Sequence, residues 1–152
     1  MSRPESFAAT VTIPVVDASA IGALLFGETD GAWVHRMTSG LTFVIPAMFH
    51  FELGNICWTK MRRHPGESTA VLDAWLAWNA QPPVAVMAVD LTDTMQLARD
   101  TSLTFYDASY LWLARDRATD LISLDAKLVR AARSLGVYAP SPTPHTTPRS
   151  RH

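Results

Sequence analysis

Leu121-Ile-Ser123-Leu-Asp125-Ala-Lys-Leu128 is a short apolar run that ends on a carboxylate and passes straight into a helical pattern. Ile13-Pro-Val-Val-Asp17-Ala-Ser19 does the same near the other end of the chain. Val15-Val16 and Leu121-Ile122 are apolar without alternation, as strands buried on both faces of a parallel sheet must be. Pro14 falls at the start of its strand, where a missing N–H does least harm. Working outward, strands are expected at 41–45 and 84–89, with a short edge strand at Val137-Tyr138. Helices are expected at 19–26, capped by Ser19 and stopped by Gly27, and at 30–39, 47–63, 66–79, 91–101, 105–118 and 125–135, the last stopped by Gly136. Strands alternating with helices predict an α/β fold, a three-layer α/β/α sandwich with a mostly parallel central sheet. In such sheets, sites form beyond the carboxyl ends of the strands.

The length of 152 residues suits one domain. Hydrophobic residues make up 48% and charged residues 18%, which excludes a wholly disordered chain. The expected division is a frayed N-terminus over 1–10, a folded unit over 11–138, and a tail over 139–152 that holds Pro140, Pro142, Pro144 and Pro148. The net charge of −1 excludes nucleic-acid binding by bulk positive charge, so such a role needs a local patch or a bound cation. One cysteine, Cys57, excludes an internal disulfide and a Cys-rich zinc site. The N-terminus does not read as a secretory signal, and no apolar run approaches the ~20 residues that span a bilayer. The expectation is a cytoplasmic protein with no membrane association.

Four carboxylates stand out. Asp17 and Asp125 each close a strand, although Asp there also serves as a helix cap or turn residue. Asp107 opens a helix in which Ala108, Tyr110, Leu111, Trp112, Leu113 and Ala114 occupy nearly every direction at about 100° per residue. A helix apolar all round is buried, so its first-turn carboxylate lies near the core and needs compensation. The helix's own amides could supply it. Glu52 heads a polar stripe with Asn55, Thr59 and Arg63, beside an apolar face of Phe49, Leu53, Ile56 and Cys57. The stripe reads either as a solvated face or as a ligand, Glu52, with a phosphate-facing base, Arg63. All-oxygen donors suit a hard divalent cation such as Mg²⁺, which keeps several waters and few carboxylates.

The same residues resemble a PIN domain, in particular the VapC-type toxins of type II toxin–antitoxin pairs, over about residues 13 to 138. Val15-Val-Asp17-Ala-Ser19 resembles the family's opening strand. Ile45-Pro-Ala followed by Glu52-Leu-Gly-Asn55 resembles its glutamate-bearing helix. Tyr106-Asp107-Ala-Ser-Tyr110 and Leu121-Ile-Ser123-Leu-Asp125 resemble its third and fourth acidic motifs, the family more often having Thr at the Ser123 position. The resemblance implies a Mg²⁺- or Mn²⁺-dependent endoribonuclease whose one or two ions are held by Asp17, Glu52, Asp107 and Asp125. Ser19 and Ser123 would orient a carboxylate or a water. The products would be a 5′-phosphate and a 3′-hydroxyl. It also implies a homodimer, a small cognate antitoxin whose helix packs in an apolar groove, and contact with promoter DNA only through the antitoxin complex. Lys60, Arg63, Lys127, Arg130 and Arg133 are candidates to hold the RNA backbone, each weighed against an ordinary solvated helix face.

Other constellations carry less. His35, His50 and His64 lack metal-ligand spacing. The tryptophans at 33, 58, 75, 78 and 112 could stack bases but more often anchor cores or interfaces. Cys57 reads as a small core residue. Neither G-x-x-x-x-G-K-[ST] nor G-x-G-x-x-G occurs, against a P-loop or dinucleotide enzyme. A haloacid-dehalogenase-like phosphatase would want a second Asp at position 19, where this chain has Ser. A PIN-like binding module that has lost catalysis is the other alternative. Without the four candidate ligands, thirteen basic residues face ten acidic ones. Near-neutral charge thus becomes an expectation that RNA affinity depends on divalent metal.

Overall fold

The computed structural model describes residues 12–143. Four strands, β1 (Val15–Val16), β2 (Phe43–Pro46), β3 (Val84–Met87) and β4 (Leu121–Ile122), form one sheet in the order β3-β2-β1-β4. Every pairing is parallel, with Val15 opposite both Val44 and Leu121 and with Phe43 opposite Val84. Helices flank the sheet, as the alternation of apolar runs and helical patterns requires. They are α1 (Ala18–Leu25), α2 (Gly31–Thr38), α3 (Phe49–Arg63), α4 (Ser68–Ala80), α5 (Leu91–Thr101), α6 (Phe105–Asp116) and α7 (Ala126–Ser134). Both residues of β1 and of β4 are buried, which explains their continuous Val, Leu and Ile.

The α6 helix passes through the interior. Ala108, Tyr110, Leu111, Leu113 and Ala114 are buried and Trp112 half-buried, as an all-round apolar helix must be. Phe49, Leu53 and Cys57 fasten α3 to the core. Trp78 of α4 stacks on Phe43 with ring centroids 6.0 Å apart. Trp58 instead stays exposed, with the Arg62 guanidinium 5.9 Å from its ring centre. Lys60, Arg62 and Arg63 sit in the last turn of α3, where cations complement the helix dipole.

Three local expectations change. Asp17, not Ser19, caps α1: β1 stops at Val16, and the Asp17 carboxylate reaches the Ala20 N–H. The fourth helix begins at Ser68, after one tight 3₁₀ turn at Pro65–Glu67. Val137-Tyr138 forms no strand, contributing a single hydrogen bond from Leu121 N–H to the Tyr138 carbonyl. Gly136 ends α7 at φ +78°, a conformation costly for any side chain with a Cβ. The expected frayed N-terminus, 1–10, and tail residues 144–152 lie outside the described residues. The first part of the expected tail is pinned: Ala139 is buried, and Arg133 donates to the Ala139 carbonyl and to Ser141 Oγ. No helix among the described residues is long and apolar enough to cross a membrane.

Candidate active site

The chain leaves β1 toward β2 on one side and later returns to place β4 on the other. That reversal opens a crevice at the carboxyl ends of β1 and β4, the place where such sheets bind ligands. Asp17 and Ser123 are the residues that follow these strands. Asp17 is only 3% exposed, and its carboxylate accepts three hydrogen bonds. Oδ1 accepts from Ser19 Oγ at 2.7 Å and from Ala20 N–H at 3.0 Å. Oδ2 accepts from Ser123 Oγ at 2.5 Å. Ser123 Oγ in turn accepts from Asp125 N–H, and Asp125 Oδ1 caps α7 by accepting from Leu128 N–H at 2.9 Å.

These hydrogen bonds favour the Asp17 anion, yet burial outweighs them and lifts its pKa to about 6. Asp107 adds repulsion. Glu52 is raised to about 7, first by burial and then by the charges of Asp107 and Asp17. Its Oε1 is buried without a hydrogen-bond partner. The hydroxyl of Tyr110 lies beside it and, though outside good hydrogen-bond geometry, relieves part of the rise. Asp107 is raised by burial and by Asp125, against relief from Thr104 and Lys127. The four carboxylates thus form one field of mutual repulsion, although they come from four separate elements.

Among the described residues, no three acidic, His or Cys side chains close into a ready-made ion cage. The donor set nonetheless fits a hard divalent cation: all donors are oxygens, they repel one another, and Glu52 Oε1 lacks any other partner. An ion held here would complete its shell with water.

Glu52 and Asp107 also line a cleft of about 450 Å³, together with Phe51, Asn55, Thr104 and Tyr106. Asn55 leads on into a groove that holds Lys60 and Arg63. There Lys60 lies over the Phe26 ring at 5.0 Å and 3.8 Å from Glu28. The other basic candidates divide. Lys127 donates to the Ser102 carbonyl at 2.6 Å and its charge reaches Asp107. Arg130 and Arg133 line a different cavity, and Arg133 spends its donors on the chain after α7. His64 joins the Lys60 groove.

Phe51 and Tyr106 escaped notice as site residues in the sequence. The signal was present: Phe51 points about 200° away from Phe49 and Leu53, so it is an aromatic off the apolar face of its helix.

A family model for the PIN domain matches residues 15–134. The chain belongs to the PIN domain family. PIN domains are generally metal-dependent nucleases and typically use divalent ions. This PIN domain is also similar in structure to PAE2754 from Pyrobaculum aerophilum. The TM-score is 0.67 at 25% sequence identity, covering 86% of this chain and 91% of that one. No curated protein gives a significant match to the sequence.

Proposed function

We propose that this PIN domain is a Mg²⁺- or Mn²⁺-dependent endoribonuclease and the toxin of a VapC-type toxin–antitoxin pair. The observation that carries the reading is the repulsion that links Asp17, Glu52 and Asp125 through Asp107, together with a buried Glu52 Oε1 that has no hydrogen-bond partner. These four residues would hold one or two ions. A bound divalent ion supplies a nucleophilic water at neutral pH and stabilises charge on the scissile phosphate.

The chain's own groups have distinct parts. Asp17 is fixed by three donors and cannot swing, so it sets the position of the centre. Glu52, with its carboxyl raised to about 7, is only partly ionised at neutral pH, so a cation held there would release protons. Asp107 stands half-buried at the cleft and faces substrate. Asp125 uses Oδ1 as a cap and keeps Oδ2 for a ligand. Lys60 and Arg63 bind RNA phosphates in the adjoining groove. Lys127 lies on the Asp107 side. Water attacks the scissile phosphorus and the bond to the 3′ oxygen breaks, leaving a 5′-phosphate and a 3′-hydroxyl.

The toxin reading rests on the four motifs that resemble VapC proteins. It brings with it a cytoplasmic setting, a homodimer, a small antitoxin that silences the centre, and promoter binding only through that antitoxin. The test is induced expression of wild type beside Asp17→Asn, with sequencing of RNA 5′ ends. Growth arrest with discrete cuts in wild type alone supports the proposal. Equal cutting by Asp17→Asn overturns the site, and absence of cuts and arrest in both favours a silent binding module. A small-molecule phosphatase would instead release phosphate from simple esters and leave RNA intact.

A further inference from the structure

Arg130 and Arg133 stand one helical turn apart on α7 and line a cavity of about 300 Å³. Asp30, Ser123, Ser141 and Pro142 share its walls. Two positive groups therefore face one carboxylate. Among the described residues neither arginine forms an ion pair, and Arg130 makes no hydrogen bond. Arg133 spends two of its five N–H donors on the chain after α7: Nε on the Ala139 carbonyl at 2.9 Å and a terminal nitrogen on Ser141 Oγ at 3.0 Å. The donors left over, on two guanidinium planes a turn apart, suit a tetrahedral dianion with several acceptor oxygens.

The group that can carry such a dianion already stands in the cavity. Ser141 is exposed, and its hydroxyl meets Arg133. Pro142 follows it and biases it toward extended backbone, the form in which a protein kinase takes its substrate. The pair recurs as Thr143-Pro144 and Thr147-Pro148, so Ser141 heads a run of hydroxyl–proline pairs. Within the described residues, Ser141 and not Thr143 lines the arginine cavity.

We propose that Ser141 is a phosphorylation site whose phosphate is received by Arg130 and Arg133, which locks the segment after α7 onto that helix. A protein kinase supplies the phosphoryl group from ATP. Ser141 Oγ bonds to the γ-phosphorus, the bond from that phosphorus to the bridging oxygen breaks, and ADP leaves. The hydroxyl proton passes to the kinase's base. A phosphate set opposite an arginine cluster orders the segment that bears it through new charge-assisted hydrogen bonds. Ser123, the donor to Asp17, lies on the wall of the same cavity, so the lock closes behind the acidic centre. The proposal stands apart from the nuclease reading and needs no RNA to test it.

The full chain is made with phosphoserine encoded at position 141, beside the unmodified chain. Followed by phosphorus NMR, the phosphate should lose its second proton near about pH 5 rather than about 6, because the two arginines outweigh Asp30. The thermal midpoint should rise by about 2–4 °C, and by less in high salt. Arg130→Ala and Arg133→Ala should each cancel most of that gain. Each is compared with the same variant lacking phosphate, so any stability lost to the substitution itself drops out. A proline-directed kinase with ATP should place phosphate on Ser141 of the folded chain, located by mass spectrometry. A phosphate that titrates as in a free peptide, or a gain that survives both arginine substitutions, overturns the proposal. So does a kinase reaction that leaves Ser141 bare. If inorganic phosphate gives the unmodified chain the same gain, and Arg130→Ala loses it, the cavity serves a free anion and the modification is overturned.

Discussion

Replacing Asp17 by Asn should make the metal-free protein gain stability on its parent as pH rises. Burial lifts the Asp17 carboxyl from 3.8 to about 6. At about 1.4 kcal/mol for each tenfold change in proton affinity, holding the anion there costs the fold about 3 kcal/mol relative to the unfolded chain. Below about pH 4 the group is protonated in both states and the cost is absent. Between about pH 4 and 6 the folded chain keeps a proton that the unfolded chain has lost, so stability falls as pH rises. Above about pH 6 the full cost is present. Asn carries no charge at any pH, so it escapes this slope. It cannot accept from Ser123 through its amide nitrogen, but that loss is the same at every pH and cancels in the comparison. The stability difference between Asp17→Asn and wild type should therefore shift by about 2–3 kcal/mol in favour of Asn from pH 4 to pH 7.5. Glu52, raised to about 7 in part by the Asp17 charge, adds a slope that is smaller in Asp17→Asn, so it moves the difference the same way, reduced by its partial exposure. Urea unfolding in EDTA across that range measures the difference. A difference that stays flat, or that moves against Asn as pH rises, refutes the picture of a buried charge held at a cost.

Divalent metal should reverse that slope. At a hundred times its dissociation constant, Mg²⁺ or Mn²⁺ should stabilise wild type by about 2.7 kcal/mol at pH 7.5, less at pH 5 where Asp17 and Glu52 hold protons, and least in Asp17→Asn. Thermal unfolding with and without metal reads this, and equal shifts in all three cases would count against the site. Ser123→Ala removes a donor to Asp17 and the acceptor for Asp125 N–H, so it should cost about 1–3 kcal/mol and push the Asp17 carboxyl still higher; titration followed by NMR checks the direction. Gly31→Ala would set a Cβ 2.7 Å from the Ala23 carbonyl oxygen, so chemical denaturation should show a loss of about 1–3 kcal/mol, whereas an unchanged midpoint would mean that α1 and α2 move apart freely. Lys60→Ala with Arg63→Ala should weaken RNA binding and flatten its salt dependence by about one charge each, while Arg133→Ala should alter stability rather than the salt slope.

The strands and the helix order were legible because the apolar runs are short, continuous and bounded by breakers. Val15-Val16 and Leu121-Ile122 can only be buried on both faces, and α6 can only be an interior helix. The choice of cap was not legible: Asp17 and Ser19 are both good helix starters, and only the point where β1 stops decides between them. The Asp17–Ser123 hydrogen bond joins residues 106 apart, and nothing local to either position announces it. Among the basic residues, sequence spacing could not separate Lys60 and Arg63, which share one groove beside the cleft, from Arg133, whose donors hold the chain after α7. The exposure of Phe51 and Tyr106 was likewise hidden, since an aromatic residue is buried more often than not.

That long-range bond has a consequence for how the protein comes into being. Synthesis delivers Asp17 first, but Ser123, with the strand that pairs with β1, arrives 106 residues later. Until β4 docks, Asp17 lacks the donor on its Oδ2 and the crevice has no second wall. Chains emerge at about 5–20 residues per second, so for seconds a growing polypeptide carries half of its acidic cluster with no means of aligning it. A chain built this way has no assembled acidic centre until that late strand is in place.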